Sequence, residues 1–246
     1  MKFSLLPILA ALLATLPCRA TSTPVEPLKS RQTTPTCTTE GVHMIVARGS
    51  TESPGTGTLL SPLISAVESH LPGSDHVAVD YPASLARYAD SVYTGVSNMT
   101  KLVQSHVAAC PKSKIVLLGY SQGAQVAGDT VCGTTSAGGF TQTSALASKY
   151  STNVIAVVMF GDPANVSGLS FDKGNATSNG LFPRTSLSAC TGFASKVQSY
   201  CDDGDAYCDS GLYLAPHYQY INNHGFDAAE FICSQADAAG VGTCST

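Results

Sequence analysis

Residues 114–129 narrow the possible folds more than any other stretch. Lys114-Ile115-Val116-Leu117-Leu118 is a short apolar run rich in branched side chains, of the kind buried inside a sheet. It passes directly into Gly119-Tyr120-Ser121-Gln122-Gly123, and then into Ala124-Gln125-Val126-Ala127-Gly128-Asp129, which can begin a helix. A strand that turns at once into a helix strains the residue at the turn, and small flanking residues let strand and helix approach. The G-x-S-x-G pattern by itself is common, and its plain meaning is a Ser/Gly turn in an α/β domain. The strand and helix on either side make Ser121 a candidate nucleophile at the carboxyl edge of a sheet. A serine hydroxyl is a weak nucleophile, so that reading requires a base and an orienting acid elsewhere in the chain.

The remaining periodicity predicts the sheet around this turn. Val42-His43-Met44-Ile45-Val46-Ala47 is a strand candidate that delivers a loop, residues 48–57, containing three glycines. Residues 59–71 repeat apolar side chains at helical spacing, and Pro72-Gly73 ends them. Residues 75–81 alternate as a strand, and residues 88–109 form a long amphipathic helix closed by Cys110-Pro111. A near-continuous apolar strand at 153–160 delivers Gly161-Asp162-Pro163. Residues 164–195 are irregular, 196–200 read as a short strand, 201–208 as a small loop and 226–236 as a final helix. Strands separated by helices imply parallel βαβ units, and in a parallel sheet the loops at carboxyl ends bind ligands.

The N-terminus points to export. Lys2 precedes an apolar run over residues 3–16, and Cys18-Arg19-Ala20 ends in a small residue. This is a signal peptide over residues 1–20, too short to anchor in a membrane. Residues 21–36 are rich in Pro, Thr and Ser and read as a flexible propeptide whose Lys29-Ser30-Arg31 is a plausible processing point. A mature chain starting near Gln32 would lose four basic residues and one acidic residue, moving the net charge from −4 to −7. That balance, with no basic patch, argues against a nucleic-acid partner. Nine cysteines become eight once Cys18 leaves with the signal: Cys37, Cys110, Cys132, Cys190, Cys201, Cys208, Cys233 and Cys244. An even number in an exported chain reads as disulfides, and the absence of a C-x-x-C pair argues against zinc. Short separation favours Cys201 with Cys208 and Cys233 with Cys244. Asn98, Asn165 and Asn175 each open an N-x-S/T sequon, the acceptor pattern for surface glycosylation.

Six histidines compete for the role of base. His43, His70, His76 and His106 fall within or at the ends of strands and helices and read as structural or surface residues. His217 and His224 both follow Ser121, as the nucleophile–acid–base order of such enzymes requires. His217 sits after Leu214-Ala215-Pro216, and His224 sits before Gly225 at a supposed helix start. The acid is equally crowded: Asp202, Asp203, Asp205 and Asp209 lie together, and Asp162 is a rival. A solvated acidic turn is the plain alternative, and an EF-hand does not fit the spacing. A bridge from Cys201 to Cys208 would present Asp205 near the middle of its loop.

Four motifs carry a more specific resemblance. Ala47-Arg48-Gly49-Ser50-Thr51-Glu52, Gly119-Tyr120-Ser121-Gln122-Gly123, Cys201-x-x-x-Asp205-x-x-Cys208 and Ala215-Pro216-His217 resemble, in this order over about residues 37–236, the fungal cutinase family, which also contains acetylxylan esterases. The resemblance implies a single-domain α/β-hydrolase fold, with a central parallel sheet and helices on both faces, over 37–236 and a short tail at 237–246. It implies a triad of Ser121, Asp205 and His217. It also implies an oxyanion hole from Ser50 and the backbone N–H of Gln122, and no metal or organic cofactor. It further suggests Cys37–Cys110, Cys201–Cys208 and an esterase-like Cys132–Cys190, leaving Cys233–Cys244. The expected partner is an ester substrate, cutin or acetylated xylan, met by a monomer at the plant cell surface rather than in a membrane. The Ser50 loop and Leu212-Tyr213-Leu214-Ala215-Pro216-His217 look like cutinases. Val131-Cys132-Gly133 and Lys196-Val197-Gln198-Ser199-Tyr200-Cys201 look like acetylxylan esterases, but the cysteine-bearing loop those esterases carry is absent after Tyr81-Pro82-Ala83. Cutinase is the favoured expectation. A reading of another class is a secreted protein recognised by a plant host independently of catalysis.

Overall fold

Six parallel strands in the order β2-β1-β3-β4-β6-β5 form the centre of the molecule. The computed structural model describes residues 37, 39–136 and 138–245. The signal peptide, the propeptide with its processing point near Gln32, and Cys18 lie outside the described residues. In chain order the elements are β1 (His43–Ala47), α1 (Ser61–His70), β2 (Asp75–Ala78), α2 (Tyr88–Ala109), β3 (Ile115–Tyr120), α3 (Gln122–Cys132), β4 (Val154–Phe160), β5 (Asp172–Lys173), β6 (Val197–Tyr200) and α4 (Tyr220–Ala238).

The three central strands β1, β3 and β4 are buried at every residue. That explains why they read as unbroken apolar runs, because a parallel sheet has helices on both faces and neither face meets water. One core lies between the sheet and α2 with α3, with Ile45, Leu117 and Val157 meeting Val96, Met99, Val126 and Val131. The other lies between the sheet and α1 with α4, where Met44, Val116 and Val158 meet Leu63, Val67, Ala228 and Ile232. Each fully buried Val, Leu or Ile side chain contributes about 1.5–3 kcal/mol relative to exposure.

The register aligns the carboxyl ends. Ala47 pairs with Gly119, Tyr120 with Phe160, and Phe160 with Tyr200. The loops that begin after these residues therefore emerge side by side along one edge of the sheet. The sheet grows from β1 in two directions, to β2 on one side and β3 on the other, which opens a crevice at that edge.

The structure departs from the sequence expectations at the margins. The irregular stretch 164–195 holds the two-residue edge strand β5, and a 3-10 turn at Cys190–Lys196 leads into β6. The final helix starts at Tyr220, six residues before the expected Phe226. His224 is thus inside α4 rather than at its start. The tail is tied down: Ser245 N–H donates to His70 O at 2.9 Å and Gly41 N–H to Val241 O at 2.6 Å. The three disulfides suggested by the resemblance, Cys37–Cys110, Cys132–Cys190 and Cys201–Cys208, are formed, as is the remaining pair Cys233–Cys244. Among the described residues no helix is long and apolar enough to cross a membrane.

Candidate active site

Ser121 sits between the last residue of β3 and the first of α3 with φ 55° and ψ −120°. A non-glycine residue there stores about 1–3 kcal/mol of strain. Its N–H donates to Phe160 O at 2.8 Å, and its own carbonyl accepts the N–H groups of Ala124 at 2.9 Å and Gln125 at 3.2 Å. One peptide unit thus ties the turn to β4 while the next starts the helix. The flanking glycines are needed for close approach. A Cβ on Gly119 would fall on the backbone of Gly123, and a Cβ on Gly123 would fall on the carbonyl of Ala47.

Asp205 and His217 are brought together from two loops. Asp205 lies in the loop closed by Cys201–Cys208 immediately after β6. It is fully buried, and each carboxylate oxygen accepts two hydrogen bonds. Oδ1 accepts the N–H of Tyr207 at 2.7 Å and of Cys208 at 3.1 Å. Oδ2 faces His217 Nδ1 at 2.8 Å and the Tyr220 hydroxyl at 2.7 Å. Burial by itself would raise this carboxyl, but the hydrogen bond and charge of His217, with the bonds from Tyr220 and Tyr207, hold it below its ordinary value. His217 lies in a 3-10 turn begun by Pro216. Its ring packs against Tyr207 and Tyr120, with centroids 4.5 Å and 5.1 Å away. With Nδ1 committed to Asp205, Nε2 is buried and has no hydrogen-bond partner.

A cavity of about 530 Å3 collects these groups: Ser50, Ser121 and His217 all line it, with Leu85, Leu181, Phe182 and Tyr218 among its walls. A larger groove of about 880 Å3 lies between α1 and α4. Its histidine, His70, is bonded to the Ser245 carbonyl at 2.8 Å, and neither Ser121 nor His217 reaches it. Ser50, Ser121 and His217 therefore share the smaller cavity and not the groove.

Ser50 comes from the loop after β1, and Gln122 directly follows Ser121. Gln122 is the first residue of α3, so no preceding turn accepts its N–H. The Ser50 hydroxyl is buried without a partner. The Glu52 carboxylate shapes its loop by accepting the N–H groups of Gly49 at 2.6 Å, Thr58 at 2.7 Å and Leu59 at 3.2 Å. Residues 83–84 join this loop to the helix start. Ala83 O accepts the N–H of Thr51 at 2.8 Å. Ser84 O accepts the Gln122 side-chain amide at 3.1 Å, and the same side chain accepts Ser91 Oγ–H at 2.8 Å.

The rival residues have other partners. Asp162 is buried against Arg184 at 2.6 Å, with Asp129 on the same guanidinium at 2.8 Å, so it closes a structural cluster. Asp209 accepts the N–H groups of Thr177, Ser178 and Gly204 and braces the acid loop. Asp203 is exposed, and Asp202 pairs with His224 Nε2 at 2.8 Å, away from the cavity. His43, stacked on His106, faces Asp75; His76 faces Glu68. Of the sequons, Asn175 is exposed and Asn98 is half-buried on α2. Asn165 differs from the other two. It is buried, and its side-chain amide, the atom a glycan would occupy, donates to Cys208 O at 3.2 Å. Among the described residues no cluster of three or more His, Cys, Asp or Glu could hold a metal ion. Sequence reasoning passed over Tyr220, Glu52 and the Arg184 cluster. The only signal for Tyr220 was its place three residues after His217.

A sequence model of the cutinase family matches residues 37–236. Acetylxylan esterase 2 of Talaromyces purpureogenus is 33% identical over 225 residues, covering 88% of this chain and 93% of that protein. Cutinase 11 of Verticillium dahliae is 32% identical over 208 residues, covering 81% and 70%. The solved catalytic core domain of acetyl xylan esterase from Trichoderma reesei superposes with a TM-score of 0.74 at 33% identity, over 80% of this chain and 99% of that one. The strained serine turn and the buried Asp–His pair thus stand in a chain matched along most of its length, and the protein belongs to the cutinase family of carboxylic ester hydrolases.

Proposed function

We propose that Ser121 is the nucleophile, His217 the general base and acid, and Asp205 the orienting acid of a secreted serine esterase whose substrate is cutin. The observation that carries this reading is the 2.8 Å Asp205–His217 contact, with His217 and Ser121 on one cavity. Asp205 accepts from Nδ1 and so holds the imidazole in the tautomer whose Nε2 is free to take a proton. Nε2 would accept the Ser121 proton as Oγ attacks the ester carbonyl. The developing oxyanion would be met by Ser50 and by the N–H of Gln122, and loss of one such donor typically costs about 10²–10³ in turnover. His217 would then protonate the departing alcohol. Water would release the acyl group by the same steps in reverse order.

The cavity mouth supports cutin. Leu85, Leu181 and Tyr218 line the cavity and stay about half exposed, and Leu212, 89% exposed, stands with Tyr213 and Leu214 on the loop that leads to His217. Apolar side chains left in water around a site favour an apolar polymer or acyl chain. A second reading, acetylxylan esterase, is favoured by the acetylxylan esterases among the relatives and by the formed Cys132–Cys190 bridge. Four disulfides and the export-like N-terminus support an extracellular location. A p-nitrophenyl ester series, run beside cutin and acetylated xylan, tests the substrate. Activity that peaks at butyrate or longer, with monomers released from cutin, is expected. Activity on acetate alone with deacetylation of xylan would transfer the assignment to the second reading.

A further inference from the structure

Tyr220 follows His217 by three residues and opens α4. Its side chain is wholly buried, with its ring 6.1 Å from the rings of both Phe160 and His217. A buried phenol needs a partner for its hydroxyl. Asp205 Oδ2 lies 2.7 Å away and the N–H of Asp202 donates to the phenol oxygen at 3.2 Å. The Cys208 sulfur is 3.1 Å away, but it is bonded to Cys201 and carries no proton. The single phenolic proton therefore goes to the carboxylate, the stronger acceptor. Burial and the Asp205 charge push the phenol far above its ordinary value, so it remains a donor. Oδ2 is also the oxygen that accepts His217 Nδ1–H. A chain of hydrogen bonds thus runs from Asp202 N–H through Tyr220 to Asp205 and meets the imidazole there.

We propose that Tyr220 is a positioning residue: its hydroxyl fixes the rotation of the Asp205 carboxylate and draws charge from the oxygen that faces His217. This rests on the reading of Ser121, His217 and Asp205 given above. Without Tyr220, the only partner of Oδ2 would be the imidazole that Oδ2 has to orient. That imidazole changes charge during every turnover. The donated proton also weakens the field Asp205 presents to the imidazole, so removing the donor should favour the charged ring and strengthening it should disfavour that ring.

Two variants read these effects with opposite signs. Tyr220→Phe keeps the ring and its packing and removes only the donor. It should lower kcat about tenfold with KM unchanged, and move the acid limb of the kcat/KM profile upward by about half a unit or more. Replacing Tyr220 alone with 3-fluorotyrosine makes the phenol a stronger donor and should move the limb downward. This second variant also decides the matter if Tyr220→Phe does not fold. A residue that merely packs would move neither limb. Limbs that stay in place, or move in one direction in both variants, overturn the proposal. Ser121→Ala, assayed alongside, separates the two levels. If it is inactive while the limbs stay fixed, Tyr220 is structural and the triad reading stands. If it retains activity, the triad reading itself is lost.

Discussion

Asp205 and His217 stand 2.8 Å apart and buried, with His217 lining one cavity together with Ser121, whereas Asp202 and His224 stand at the same 2.8 Å in a pair that the cavity does not reach. Distance alone does not separate the two pairs. The contrast lies in the other ring nitrogen of His217, which is buried and unpartnered. His217→Ala is expected to lose at least about 10³-fold in kcat, and Asp205→Asn about 10⁴-fold through the wrong imidazole tautomer. His224→Ala should keep its turnover within about threefold, since it removes only a partly exposed ion pair worth about 1 kcal/mol or less. Hydrolysis of p-nitrophenyl butyrate by the three variants checks this, and equal losses at both histidines would refute the assignment.

The backbone at Ser121 is held at φ 55°, where a Cβ is a liability and glycine is at ease. Ser121→Gly should therefore be inactive yet more stable than Ser121→Ala by about 1 kcal/mol or more. Thermal or denaturant unfolding of the two inactive variants measures the difference. Gly123→Ala should behave oppositely, since its methyl group has nowhere to go but the Ala47 carbonyl. Failure to recover a folded protein, or a large drop in Tm, is the expected result.

Acid should weaken the fold through His106. Its ring is stacked on His43 at 3.7 Å, its Nε2 is buried without a partner, and Asp75 lies beyond His43. Burial first, and the neighbouring His43 second, lower its pKa from 6.5 to about 4. Between those values the unfolded chain binds a proton that the folded protein refuses. The stabilisation is therefore complete above pH 6.5 and is lost as pH falls toward 4. His106→Phe keeps a flat ring and cannot titrate. Its Tm should fall less than that of the parent between pH 7 and pH 4.5, and parallel declines would remove His106 from the account.

The sequons should differ in occupancy. Asn175 is exposed, whereas Asn165 has its amide buried against Cys208 O. Glycopeptide mass spectrometry of protein secreted by a fungal host should find glycan on Asn175 and none on Asn165. A glycan on Asn165 in active, folded protein would contradict the packing of the acid loop.

Local sequence rules were sufficient for much of this molecule. The strand–turn–helix around Ser121, the buried strands and the whole of α2 follow from periodicity and glycine placement, because a residue's neighbours in sequence dictate them. The start of α4 was not legible. Tyr220-Ile221-Asn222-Asn223 carries no apolar stripe that marks a helix, and Tyr220 is held there by its bonds to Asp205 and Asp202. The same limit applies to the acid and the base. Chain order and loop composition left His217 beside His224 and Asp205 beside Asp162, and a family resemblance was needed to prefer one of each.

The chain alone determined that a serine would stand on a strained turn at the edge of a parallel sheet, since that follows from residues adjacent to one another. Tertiary structure decided which carboxylate meets which imidazole, because that contact spans separate loops. It also decided that Tyr220 completes the hydrogen bonding of Asp205, that Asp162 pairs with Arg184, and that the Asn165 amide is buried against Cys208 O. Each of these depends on burial and on partners that no local pattern records, and register across β3, β4 and β6 is what brings them together.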